Sequence, residues 1–368
     1  MKRLLRGAAH AAAAVALTLA LTVLSGAQTV PQYRLTRTVP LGAPDRWDYV
    51  VFDPASHRVY VAHGDRVTVV DGRDGRMLGQ VEGFTGGTHG IAIATARARG
   101  YTDDGRAGEA ASFDLKTLKP QKRIQAGADA DAIAFDRVSG HIFVINGDPG
   151  TVTVIDPKTD SVVATVETGG KLEFAVAGEN GKLYVNGEQK REIVRIDTRA
   201  NLVDARWPIR NCDRPHGLAM DVANHRLFSS CLNNVLVVVN SDSGATVATL
   251  PIGSGTDAAA FDPKRKLVFS SNGRDGNLSV IEEKDPQTFV ALGNIPTAPT
   301  ARTMSLDPDT GRIYLVAADL DDAASGTATS GRAAHASGAG PGGSPSAPRP
   351  RIRIVPGSLR LLFLDPSP

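Results

Sequence analysis

HIFVINGDPGTVTVIDPKTDSVVATV, residues 141–166, contains three short apolar runs with period-two alternation. That period marks half-buried strands. Asp156, at the end of TVTVID, is placed to open a turn by bonding its own backbone two residues on. Upstream lies DAIAF (131–135), a run rich in small residues, and downstream the third run continues to Gly169. The four runs make one unit: an inner strand a, a strand b carrying Phe143, an alternating strand c and a closing strand d.

The unit recurs. FDR at 135–137 leads, seven residues after Asp136, to Phe143. Phe52-Asp53-Pro54 leads likewise to Tyr60, MDV at 220–222 to Phe228, FDP at 261–263 to Phe269 and LDP at 306–308 to Tyr314. Degenerate copies run from Ala94 to Tyr101 and from Ala177 to Tyr184. The anchors 53, 94, 136, 177, 221, 262 and 307 are spaced by 41, 42, 41, 44, 41 and 45 residues. A second column agrees: each strand c ends in a polar residue, at Asp71, Asp114, Asp156, Asp197, Asn240, Glu282 and Asp365.

Seven four-stranded units of this length predict an all-β, seven-bladed propeller of antiparallel blades. Small residues in strand a fit the place where blades converge. YRLTRTVPLG (33–42) matches strand d and LRLLFLDPSP (359–368) matches strand c. Blade 7 is therefore expected to close with an N-terminal strand d and a C-terminal strand c, which leaves no open edge.

Two segments fall outside the repeat. Residues 1–27 read as a signal peptide: Lys2, Arg3 and Arg6, then an apolar Ala8–Leu24 run, then a small-x-small cut after Ala27. Residues 28–368 then form one domain, with 319–356 as a flexible low-complexity insertion between strands b and c of blade 7. No second apolar segment is long enough to span a membrane. The expected location is periplasmic or secreted. Cleavage removes three positive charges and takes the formal net charge from +2 to −1. That balance carries no basic footprint for nucleic acid.

HRVYVAHGDRVTVVD (57–71) and the opening stretch resemble YVTN-type β-propeller repeats of exported YncE-like proteins. THGIAI, RPHGLAMD, DAAAFD and SSNG are similar to recurring phrases of bacterial members. The likeness covers essentially the whole mature chain. It implies a periplasmic or secreted propeller, a fold that hosts many activities. DNA binding has been proposed for some members.

Counting five residues back from each anchor gives Asp48, His89, Asp131, His216, Asp257 and Arg302, with Glu173 taking the place in the offset blade 4. These residues start inner strands and are expected to ring one mouth of the central channel. Three residues past the strand-b aromatics come His63, Asp104, Asn146, Cys231 and Asn272, expected on the same face. Titratable groups of both signs in a concavity are the default ligand site. No resident cofactor is expected; if a divalent ion binds, His63 and His89 on adjacent blades are the nearer histidine pair. Cys212 and Cys231 are expected to form a disulfide in an oxidising compartment. The alternatives are free thiols, or a soft-ion site with His216.

The expected function is that of an exported, monomeric, non-catalytic propeller binding a small molecule or an envelope protein at this mouth. The alternative is a lactonase-like hydrolase or lyase, with or without a metal, using a ring histidine as acid or base and Arg302 to hold a carboxylate. No G-x-S-x-G or H-E-x-x-H motif supports catalysis, and no C-x-x-C-H is present for haem.

Overall fold

Each alternating run becomes one strand of a four-stranded antiparallel sheet, and seven such sheets form a ring in the computed structural model, which describes residues 30–321 and 353–367. Blade 3 is representative: Ala130–Phe135 innermost, then Ile142–Asn146, Thr151–Asp156 and Ser161–Glu167. Blade 7 closes as expected. Its order from the axis is Met304–Leu306, Ile313–Ala317, Arg360–Pro366 and the N-terminal Tyr33–Pro40. Tyr33 pairs with Pro366 and Pro40 with Arg360, so the two ends of the domain lock one sheet.

The expected signal peptide lies outside the described residues, as does most of the insertion. The insertion's two described ends pair with each other: Leu320 bridges Ile354, and Val355 N–H donates to Asp319 O at 2.8 Å. Among the described residues no helix is long and apolar enough to cross a membrane.

The core lies between blades rather than within one. Phe143, Ile145 and Val154 of blade 3 pack with Leu172, Leu183 and Val185 of blade 4. Phe52 and Val59 of blade 1 pack with Tyr314 and Phe363 of blade 7. The repeating strand-b aromatics Tyr60, Tyr101, Phe143, Tyr184, Phe228, Phe269 and Tyr314 are all buried. Three of the tyrosines also fasten their blade to the c–d turn of the next. Tyr101 Oη donates to Asp160 Oδ1 at 2.5 Å, Tyr184 Oη to Ser241 O at 3.2 Å and Tyr314 Oη to Gly72 O at 2.8 Å. Asp160 also accepts from Arg99 and Ser112. Tyr101→Phe should therefore cost about 1.5 kcal/mol, since it removes one bond to a buried carboxylate. Urea denaturation with an unchanged slope would show it.

The polar residues ending strand c behave as turn openers. Asp71, Asp114, Asp156, Asp197 and Asn240 each accept the backbone N–H two residues on. Asp365 instead pairs with Arg312 at 2.5 Å; strand d of this blade is the N-terminal Tyr33–Pro40, so no c–d turn joins the two strands.

Candidate functional site

The seven strand-a residues converge. Asp131, Glu173, His216 and Asp257 each occupy the second position of an inner strand, where the pairing register with strand b slips. Such bulges re-aim a side chain off the pleat. Asp48, His89 and Arg302 lie two residues before their inner strands begin. The glycine that follows each ring histidine is imposed by crowding. A Cβ at Gly90 would sit 2.2 Å from Asp131 O, and one at Gly217 would sit 2.5 Å from the Ala258 carbonyl carbon. This close approach of the neighbouring inner strand accounts for the repeated His-Gly phrase.

Beneath the ring two aromatic side chains meet across the channel. Tyr49 follows Asp48 and Phe174 follows Glu173; their rings meet with centroids 4.8 Å apart. The corresponding positions in the other blades hold Gly90, Ala132, Gly217, Ala258 and Thr303. Two aromatics from blades on opposite sides of the ring thus make a floor, and the mouth becomes a cup. Asp48, Asp131, Glu173 and Asp257 surround a space of about 150 Å³ above that floor. A wider cavity of about 260 Å³ at the lip is lined by Arg46, Trp47, Asp48, His89, Arg302 and Ile354.

Acidic and basic side chains alternate around most of the ring. Arg302 Nη2 lies 3.9 Å from Asp48, and its Nε lies 2.8 Å from Asp257. His216 Nδ1 is 3.1 Å from Asp257 Oδ1, and its Nε2 is 4.0 Å from Glu173 Oε1. On the other side His89 falls between Asp48 and Asp131 in ring order. Seven is odd, so alternation must fail once. It fails between Asp131 and Glu173, two acids from neighbouring blades. Burial first, and then neighbouring carboxylates, push Glu173 up to about 9 and raise Asp131 well above the carboxylate range. Burial likewise pushes Asp48 up to about 6, against the pull of Arg302.

Sequence reasoning missed two carboxylates. Asp103 is fully buried; its Oδ2 lies 2.7 Å from His89 Nδ1 and its Oδ1 accepts the His89 and Gly90 N–H groups. Burial works against a charge on His89, but the bond and charge of Asp103, with Asp48 and Asp131 behind it, hold the imidazole at about 9. Glu188, just past strand b of blade 4, has Oε1 3.8 Å from His216 Nε2. Asp103 was legible in the Asp103-Asp104 pair, where strand parity sends the two side chains to opposite faces.

That same parity keeps His63 and Asp104 out of the cup. His63 is buried with Nδ1 2.9 Å from Thr68 Oγ1, and Nε2 2.7 Å from Pro44 O and 3.2 Å from Gly42 O. Neither nitrogen is left for an ion, so His63 and His89 do not form a metal pair. Asn146 bonds Thr153 and Asn272 bonds Ser279 from the equivalent positions, so this column clasps strand b to strand c. Asp104 is ion-paired with Arg123 at 2.9 Å. Cys231 is in a disulfide with Cys212, which leaves no free thiol. His63→Ala should cost about 2 kcal/mol by leaving buried partners unpaired, while ligand affinity at the cup stays unchanged. Thermal melts and titration calorimetry on the same variant would separate the two effects.

The fold and the floored cup define a seven-bladed β-propeller with a carboxylate-rich cup at one mouth of its channel. No family model matches the chain. It is 26% identical over 236 residues to the uncharacterized protein YncE of Salmonella typhimurium, a match spanning 62% of this chain and 60% of that protein's length. That similarity, with the seven-bladed architecture, supports a YncE-like propeller. A hydrazine synthase chain of Kuenenia stuttgartiensis shares the fold, with a TM-score of 0.62 and 15% identity over 73% of this chain and 91% of that one.

Proposed function

We propose that this chain is an exported, non-catalytic propeller that binds a small, positively charged ligand in the cup. The observation that carries this reading is the break in the alternation of acidic and basic side chains. Asp131 and Glu173 are adjacent acids with no base between them, above a neutral aromatic floor. A cationic group seated there would offset the burial and the carboxylate repulsion that raise both acids and complete the ring, and an aromatic face beneath it would add cation–π attraction. The disulfide fits an oxidising compartment.

The test is a thermal-shift series with putrescine, arginine and citrate, followed by calorimetry. An amine at 100 times its dissociation constant should stabilise the protein by about 2.7 kcal/mol. Asp131→Asn should abolish that gain. Stabilisation by citrate alone would overturn the reading.

One observation favours a second reading. The Asp103–His89 pair holds a charged imidazole at the edge of the cup, an arrangement suited to a general acid. Arg302 is already engaged by Asp257 and by Trp47 O at 3.0 Å, which weakens its assignment as a substrate clamp. Hydrolysis of δ-valerolactone that is lost in His89→Ala would favour a hydrolase over a binding protein.

A further inference from the structure

We infer that Glu173, Glu188 and His216 form a site for a divalent transition-metal ion of the zinc class, set in the cup wall where blades 4 and 5 meet. The inference rests on the cup being a cation site and names the cation. One ligand atom from each of the three residues lies within 4.8 Å of the others. His216 Nε2 is buried and has no hydrogen-bond partner. It stands 3.8 Å from Glu188 Oε1 and 4.0 Å from Glu173 Oε1. Those gaps are too long for hydrogen bonds. Two ligand atoms that each sit about 2.0–2.2 Å from one tetrahedral ion stand about 3.3–3.6 Å apart, so closing these gaps by a few tenths of an ångström would bring the three residues onto an ion.

The rest of the histidine supports the same role. Nδ1 lies 3.1 Å from Asp257 Oδ1, and Asp257 is held in turn by Arg302. A carboxylate on Nδ1 keeps the proton there and leaves the Nε2 lone pair facing Glu173 and Glu188. This is the usual outer-shell support of a metal-bound histidine. One nitrogen and two carboxylates suit zinc and neighbouring first-row ions better than calcium, which takes oxygen alone. Two cations already serve the carboxylates from the rim. Lys171 Nζ lies 3.1 Å from Glu188 and 3.8 Å from Glu173, and Arg214 Nε lies 3.5 Å from Glu188. Lys171 is 42% exposed and free to swing outward when an ion enters.

The experiment is calorimetric titration of the mature protein with Zn2+, with Ca2+ as the contrast and putrescine as a separate probe of the cup. Zn2+ should bind one to one and Ca2+ should not. His216→Ala should abolish stoichiometric zinc binding, and Asp257→Asn should weaken it about 10- to 100-fold. Lys171→Ala should tighten it severalfold, a gain that no loss of folding can mimic. X-ray absorption of the zinc form should show nitrogen and oxygen ligands, histidine scattering included, and no sulfur. Zinc retained in His216→Ala, or affinity unmoved by Lys171→Ala, would overturn the site. If putrescine binds and Zn2+ does not, the metal site falls and the cationic cup stands. If neither binds, both fall.

Discussion

Asp103→Asn should lower stability by about 3 kcal/mol at pH 6 and bring the His89 titration from about 9 to 6.5 or below. Asp103 lies within the fold, bonded to the His89 ring and to two backbone N–H groups. An asparagine oxygen can still accept from the backbone, but it brings no charge to hold the imidazolium. The sign follows from linkage. The folded-state pKa of His89 lies above its unfolded value near 6.5, so its contribution is full below that pH and fades as pH rises through about 9. The gap between wild type and variant should therefore be widest below pH 6.5 and narrow at pH 9 and above. Urea melts across that range, with NMR titration of the His89 ring, would check both parts. A gap independent of pH would mean that Asp103 acts only as a backbone acceptor.

Replacing Cys212 and Cys231 together by alanine should cost about 3 kcal/mol, the chain-entropy value for a closed loop of this size. The two cysteines are 19 positions apart and lie in one apolar cluster with Ile209, Leu218 and Val237. Alanine avoids leaving a polar hydroxyl there. The same bridge anchors the segment that leads into His216, four residues after Cys212. Releasing it should weaken binding at the His216 side of the cup and leave the Asp103–His89 pair unmoved. Melting of oxidised, reduced and double-alanine protein would measure the first effect, and ligand titration the second. Equal stability in all three forms would refute the prediction.

The blade count, the shared seventh blade and the ring positions were legible because a propeller writes them along the chain. A period of two places side chains on faces, and a period near 42 counts blades. Five residues before each anchor was enough to find Asp48, His89, Asp131, His216, Asp257 and Arg302. The same linear counting erred at His63 and Asp104. Three residues past the aromatic is a fixed position, but a strand sends odd and even positions to opposite faces, and this column turned into the hairpin clasp.

Sequence alone thus determined the architecture and most members of the ring, since both follow from local alternation and its repetition. Only the tertiary structure decided that the channel has a floor. Tyr49 and Phe174 are far apart in the chain and break the small-residue rule of strand a separately; closing seven blades into a ring brings them into contact across the axis. The packing of blade 5 against blade 4 likewise turned Glu188 toward His216. Pairings across and around a ring depend on its curvature and its closure, which no periodicity within one blade encodes.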